Sequence, residues 1–209
     1  MYPKPDLTLR YMSTQDISQV MEIDHQSFDI PWAENSYRYE IQESNHSFMV
    51  VLESHQERPA SRWQRWFGIG GTVDHQIGGY GGMWNVIGEA HISTIAVHPR
   101  ARGRGWGEIL LAGMIRRSIM LEAEMVALEV RVSNYRAQNL YRKFGFETAS
   151  IKAKYYRNNN EDAYDMRLRI GKEDVRKRFE ERYAAILVSH MFNDCFSENS
   201  PEHSTTQLF

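Results

Sequence analysis

Leu7, Leu9 and Tyr11 alternate with polar residues near the head of the chain and predict an opening strand, which Ser13 and Thr14 end by offering a helix cap before Asp16. Ile17, Val20 and Met21, with Phe28 beyond them, recur at helical spacing until Asp29-Ile30-Pro31-Trp32 breaks the pattern. Pro31 fixes the approach to a second short helix over residues 33–42, in which Tyr37 and Ile41 share a face. The unbroken apolar run at 48–52 predicts a buried strand.

The pattern then fails over residues 53–79, where a loop-like stretch precedes the mixed cations and indoles of 62–66; an insertion of about 54–78 into a hairpin is expected. Glycines at 78, 79, 81 and 82 predict a bulge or a close backbone approach. Residues 89–97 alternate as a strand. From 105 to 121, Ile109, Leu110, Met114, Ile115 and Ile119 recur with helical period. The order repeats: a strand over 125–130, then a helix capped by Ser133 or Asn134, carrying Ala137, Leu140, Tyr141 and Phe144 and stopped by Gly145. Two parallel strands joined by a right-handed crossover helix are implied. Residues 146–151 and 163–168 read as a hairpin about the turn-rich 157–160, so a first domain of residues 1–170 is expected. Beyond it, Val175, Phe179, Tyr183, Ile186 and Leu187 line one face of a helix over 172–189, and residues 198–208 are too polar to fold alone, giving a C-terminal helix and disordered tail over 171–209.

Composition narrows the classes. A chain of 209 residues with 42% hydrophobic and 25% charged content fits one globular domain plus a tail rather than a coiled coil or a disordered chain. A net charge of −2 provides no overall field for nucleic acid or an anionic membrane, so any basic surface is local. The single cysteine, Cys195, forms no internal disulfide. The opening residues lack the apolar stretch of a signal peptide, and no run of about 18 apolar residues occurs, so a cytoplasmic protein is expected.

The strongest candidate chemistry is at Arg102-Gly103-Arg104-Gly105-Trp106-Gly107, between the strand ending at Val97 and the helix beginning near Gly105. Glycines let the backbone approach a ligand, and a helix N-terminus presents unpaired N–H groups and partial positive charge, to which Arg102 and Arg104 add mobile cations. A pyrophosphate fits such a cradle; a basic turn on a solvated surface is the plain alternative. A Walker loop would need Gly-Lys-Ser/Thr, and in a dinucleotide fingerprint the third glycine would come one residue later.

Ile95-Ala96-Val97-His98-Pro99 followed by 102–107 resembles motif A of the GNAT acetyltransferase superfamily, which binds the coenzyme A pyrophosphate. The similarity continues through 128–134 and 139–146, and includes 28–32, Tyr155-Tyr156 and 161–163. It covers residues 7–169 and resembles the RimI group, enzymes that acetylate the N-terminal amine of a ribosomal protein. The resemblance implies an α/β (α+β) GNAT fold: a mixed, mostly antiparallel sheet with a central parallel strand pair and flanking helices. It further implies acetyl-coenzyme A as cosubstrate, held by Ile95, Ala96, Val97, Arg102, Gly103, Arg104, Gly105, Trp106, Gly107, Glu108 and Asn134. The insertion, the bulk of Trp106 and the C-terminal extension depart from the pattern.

Amine attack on a thioester requires a free lone pair. A peptide α-amine, with a pKa of about 7.7–8.0 against about 10.4 for lysine, needs the less help at neutral pH. The resemblance makes Glu129 the general base, directly or through water, and Tyr141 the acid that protonates the leaving sulfur. Read without it, Glu129 is a solvated strand carboxylate, Tyr141 packs in the core and Asn134 merely caps a helix. Trp32 and Tyr155 either line the acceptor groove or serve as apolar anchors. The histidines show no local metal-ligand spacing, so no metal is expected, and His98 is structural. N-α-acetylation of a ribosomal or similar N-terminus is thus the leading expectation. The rivals are lysine or small-amine acetylation, and a non-catalytic binder of coenzyme A or RNA using Arg62, Trp63, Arg65 and Trp66.

Overall fold

A computed structural model of the chain describes residues 6–58 and 72–199. Its strands are β1 (Asp6–Tyr11), β2 (Ser47–Arg58), β3 (Thr72–Val86), β4 (Glu89–Val97), β5 (Met125–Arg131), β6 (Glu147–Tyr156), β7 (Glu161–Arg169) and β8 (Phe192–Asp194). They form one sheet in the order β6-β7-β5-β4-β3-β2-β1-β8. The β4–β5 and β1–β8 pairs are parallel and every other pair is antiparallel. Among the described residues five α-helices flank it: α1 (Ile17–Ser27), α2 (Glu34–Gln42), α3 (Trp106–Met120), α4 (Tyr135–Lys143) and α5 (Glu173–His190). Among the described residues no helix is long and apolar enough to cross a membrane.

The apolar run at 48–52 exists because β2 is covered on both faces. Phe48, Val50 and Leu52 join the larger core under α3 and α5, whereas Met49 and Val51 join the smaller one under α1 and α2. Close approach of α3 to β3 follows from the glycines: a Cβ on Gly78, Gly79 or Gly81 would lie 1.7, 2.9 and 2.9 Å from Trp106, Leu110 and Met114, residues spaced by one helical turn along α3.

Two expected regions take a different form. Where it is described, the stretch expected as an insertion continues the hairpin: β2 runs on to Arg58, which pairs with Thr72 at the start of β3. Arg62, Trp63, Arg65 and Trp66 lie outside the described residues. The C-terminal extension, expected as a helix and tail set apart from the domain, shares its core. Phe179, Tyr183 and Ile186 of α5 are buried, β8 adds a strand beside β1, and Phe196 is fully buried against the Tyr11 ring. Local periodicity finds α5 but is blind to β8, three residues long, which is ordered by pairing with the far end of the chain.

Candidate active site

The site begins where two parallel strands part. β4 and β5 pair only from Glu89↔Met125 to Ile92↔Leu128. At that point the β3–β4 ladder shifts register, with Gly82 opposite Thr94 and Met83 opposite Ile92, so Ser93 is an extra residue. A bulge of this kind bends its strand. Past it β4 leaves β5, and the edges of 93–97 and 129–131 face one another unpaired. A cavity of about 550 Å³ fills the gap, lined by both strands, α1, the α1–α2 connection, α4 and the end of β6.

Glu129 is the first β5 residue beyond the paired half and lines this cavity with its side chain 11% exposed. It is not a solvated carboxylate. One oxygen accepts from Lys152 Nζ of β6, and the other lies 2.8 Å from His91 Nε2 on β4, itself stacked on Trp84. The His91 hydrogen bond, ahead of that of Lys152, lowers the Glu129 pKa to about 2. The carboxylate is therefore ionised at neutral pH, and His91 Nε2 carries the proton between them.

Tyr141 lines the opposite wall from α4, 5% exposed and beside Phe146. Burial raises its pKa, so the phenol keeps its proton at neutral pH. Both the core and the cavity readings of this residue hold. Asn134 also lines the cavity, and its side-chain oxygen accepts the α4 cap bond from Ala137 N at 3.1 Å. Trp32 and Tyr155 reach the same cavity, Trp32 packing on Tyr37 and Tyr155 on Tyr156.

The cradle adjoins this cleft at the N-terminus of α3. Gly103 and Gly105 have φ of +85° and +83°, a backbone that favours glycine, and Gly105 is the cap residue. Three side chains of the cradle are already engaged within the protein. The Trp106 ring turns into the core over Gly78, so only its backbone is left to meet a ligand. The Arg102 guanidinium is tethered, donating to Val97 O at 3.0 Å and Ser27 Oγ at 3.1 Å. The Val97 carbonyl is thereby occupied, which leaves the β4 amides and the Ile95 carbonyl for a ligand arm. Glu108 accepts from Arg182 of α5 at 3.2 Å and is part of the helix packing. Arg104 is exposed, its guanidinium 6.0 Å from the Trp106 ring centroid.

Several residues of the site carry no sequence signal. Asp24, 1% exposed, lines the cavity and accepts from Tyr80 OH and, at 2.7 Å, from Trp32 N. Arg131 lies on the Tyr156 ring at 3.8 Å and, with Asn158, reaches Asp29, tying the β6–β7 turn to the α1–α2 connection across the cleft. His190 at the end of α5 stands over Gly105, where a Cβ would lie 2.3 Å from its ring. Helical phase finds none of these, because each depends on a partner distant in the chain. A larger groove of about 1060 Å³ between β6, β7 and α5 holds none of the expected catalytic pair.

Residues 17–146 match the family described as acetyltransferase (GNAT) family. A protein of Bacillus subtilis (strain 168) named "Putative ribosomal protein bS18-alanine N-acetyltransferase" is 34% identical over 163 residues, 78% of this chain and 95% of that one. The N-alpha-acetyltransferase RimI of Mycobacterium tuberculosis is 30% identical over 168 residues, 77% of this chain and 91% of that one. Among solved structures, the ribosomal-protein-S18-alanine N-acetyltransferase of Escherichia coli superposes with a TM-score of 0.63 at 24% identity, covering 79% of this chain and 95% of that chain, which shows the shared fold. The matched segment spans the diverging strands, the cradle and the helix bearing Tyr141, and by it the chain belongs to the GNAT family of N-acetyltransferases.

Proposed function

We propose that this acetyltransferase moves the acetyl group of acetyl-coenzyme A to the N-terminal α-amine of a protein, with a ribosomal protein as the favoured acceptor. One observation carries the reading: the cleft opened by the parting of β4 and β5 has Glu129 and Tyr141 on its walls, the α3 N-terminus at one end, and the Asp29–Arg131–Asn158 bridge across it. The names of the curated relatives supply the acceptor class.

In this reading the amides of the 103–107 turn take the pyrophosphate, and the free edge of β4 pairs with the pantetheine arm as an added strand would. The acceptor enters beneath the bridge between Trp32 and Tyr155 and meets two carboxylates, Asp24 and Glu129. A Glu129 pKa of about 2 makes full proton transfer from an α-ammonium unfavourable by several pKa units, each about 1.4 kcal/mol. Glu129 therefore orients the incoming amine, directly or through a water, and the species that attacks is the neutral fraction of the α-amine, whose ammonium proton has gone to solvent. The lone pair so freed attacks the thioester carbonyl, a β4 amide steadies the oxyanion, and Tyr141 protonates the departing thiolate. A ribosomal acceptor puts this reaction in the cytoplasm.

The test is acetyl transfer to two short peptides, one with a free N-terminus and no lysine, the other with a blocked N-terminus and an internal lysine, with products located by mass spectrometry. Label on the first residue of the first peptide is expected. Faster turnover of the second would assign the enzyme to lysine acceptors instead.

A further inference from the structure

Away from the cleft, β2 and β3 bring together three side chains that local spacing did not connect. His55 and His75 are direct cross-strand partners, and Glu53 stands two residues before His55 on the same face of β2. Glu53 Oε1 lies 3.2 Å from His75 Nδ1 and Oε2 lies 3.4 Å from His55 Nε2, while the two imidazoles meet edge to face at 4.7 Å. One donor atom from each residue falls within 4.8 Å of the others. The geometry points to a site for a borderline divalent transition-metal ion such as Zn²⁺, bound by Glu53, His55 and His75.

Ligand bonds to zinc of about 2.0–2.2 Å set the edges of its tetrahedron at about 3.4 Å, the scale of the Oε1–His75 and Oε2–His55 separations, one carboxylate oxygen to each imidazole. Bringing both imidazoles to one oxygen takes rotation of His75, whose side chain is 56% exposed. The carboxylate is preorganised. Arg10 donates to Glu53 Oε2 at 2.9 Å and to both Asp16 oxygens, and this pairing, Arg10 first, holds the Glu53 pKa below the usual carboxylate range. Arg10 leaves Oε1 to face His75. One guanidinium against two carboxylates leaves a net negative charge, which favours a dication. Two histidines and a carboxylate suit zinc and its neighbours in the first transition row rather than magnesium or calcium, and a fourth position falls to water.

The ion's place in the fold gives it a role. None of its ligands lines the cleft. β1 pairing ends at Asp6↔His55, and β4 pairing with β3 begins only at Gly79, so the ladder from Gln56↔Asp74 to Arg58↔Thr72 is a two-stranded ribbon. Such a ribbon is marginally stable alone, and a metal bridging its two strands at the base clips it shut.

The experiment is calorimetric titration of Zn²⁺ into full-length protein carrying no histidine tag, beside His55→Gln, His75→Gln and, as a control outside the cluster, His46→Gln. One ion per chain is expected, with affinity reduced about tenfold or more in the first two variants and unchanged in the control. Circular dichroism of each variant confirms that it is folded. Co²⁺ in place of Zn²⁺ should give visible d–d bands that the His55 and His75 variants lose, and Zn²⁺ should slow amide exchange in the ribbon. Absence of binding by the folded wild type, or equal binding by all four proteins, overturns the assignment.

Discussion

The two halves of the β4–β5 pair teach by contrast. From Glu89 to Ile92, β4 is bonded to a neighbour on each side, and Ala90 and Ile92 are buried with Val126 and Leu128. From Ser93 onward β4 keeps β3 and loses β5, and the residues that follow on both strands line a cavity. One bulged residue separates a half closed by ladder bonds from a half free to bind. Backbone groups left without a partner are costly unless a ligand or water takes them, so the open half is a site awaiting a strand-like guest.

The sharpest way to break this contrast is to alter one residue on each side of the fork. Glu129→Gln and Tyr141→Phe in the open half should each lower kcat by about 10²–10⁴-fold, with cofactor affinity nearly kept, as steady-state kinetics and calorimetry would show. A parallel fall in cofactor affinity would place either residue in binding instead. Val126→Ala, in the closed half and away from the cavity lining, should instead cost about 1–3 kcal/mol of stability, measured by denaturant unfolding, with kcat largely preserved under conditions where the protein stays folded.

A smaller effect separates the halves by pH. The folded-state pKa of Glu129 is depressed from 4.5 to about 2, so its ionised pairing with His91 and Lys152 stabilises the fold fully above pH 4.5 and is lost as pH falls toward 2. Glu129→Gln should flatten that part of the stability profile, followed by urea unfolding across the acid range. Val126→Ala should shift the whole profile down without changing its shape.

Much of this molecule was legible from residue order. Alternation found β1 and β4, helical phase found α1, α3, α4 and α5, and Asn134 and Gly145 marked the ends of α4 as cap and stop. The cradle was readable because its chemistry is local: glycines with positive φ and a helix N-terminus are properties of a few consecutive residues. Glu129 and Tyr141 were singled out only through resemblance, since without it a strand glutamate and a helix tyrosine carry no distinctive pattern.

What the tertiary structure decided is which groups meet. Arg102 was expected to serve a phosphate and is tethered to Val97 and Ser27; Glu108 was expected in the cradle and pairs with Arg182. His190 stands at Gly105, and His55 meets His75 across a ladder. Periodicity and turn chemistry depend on near neighbours and so are written along the chain. The partner of a charge, the docking of α5 and β8, and the parting of β4 from β5 depend on register and packing over the whole sheet, which no short segment contains.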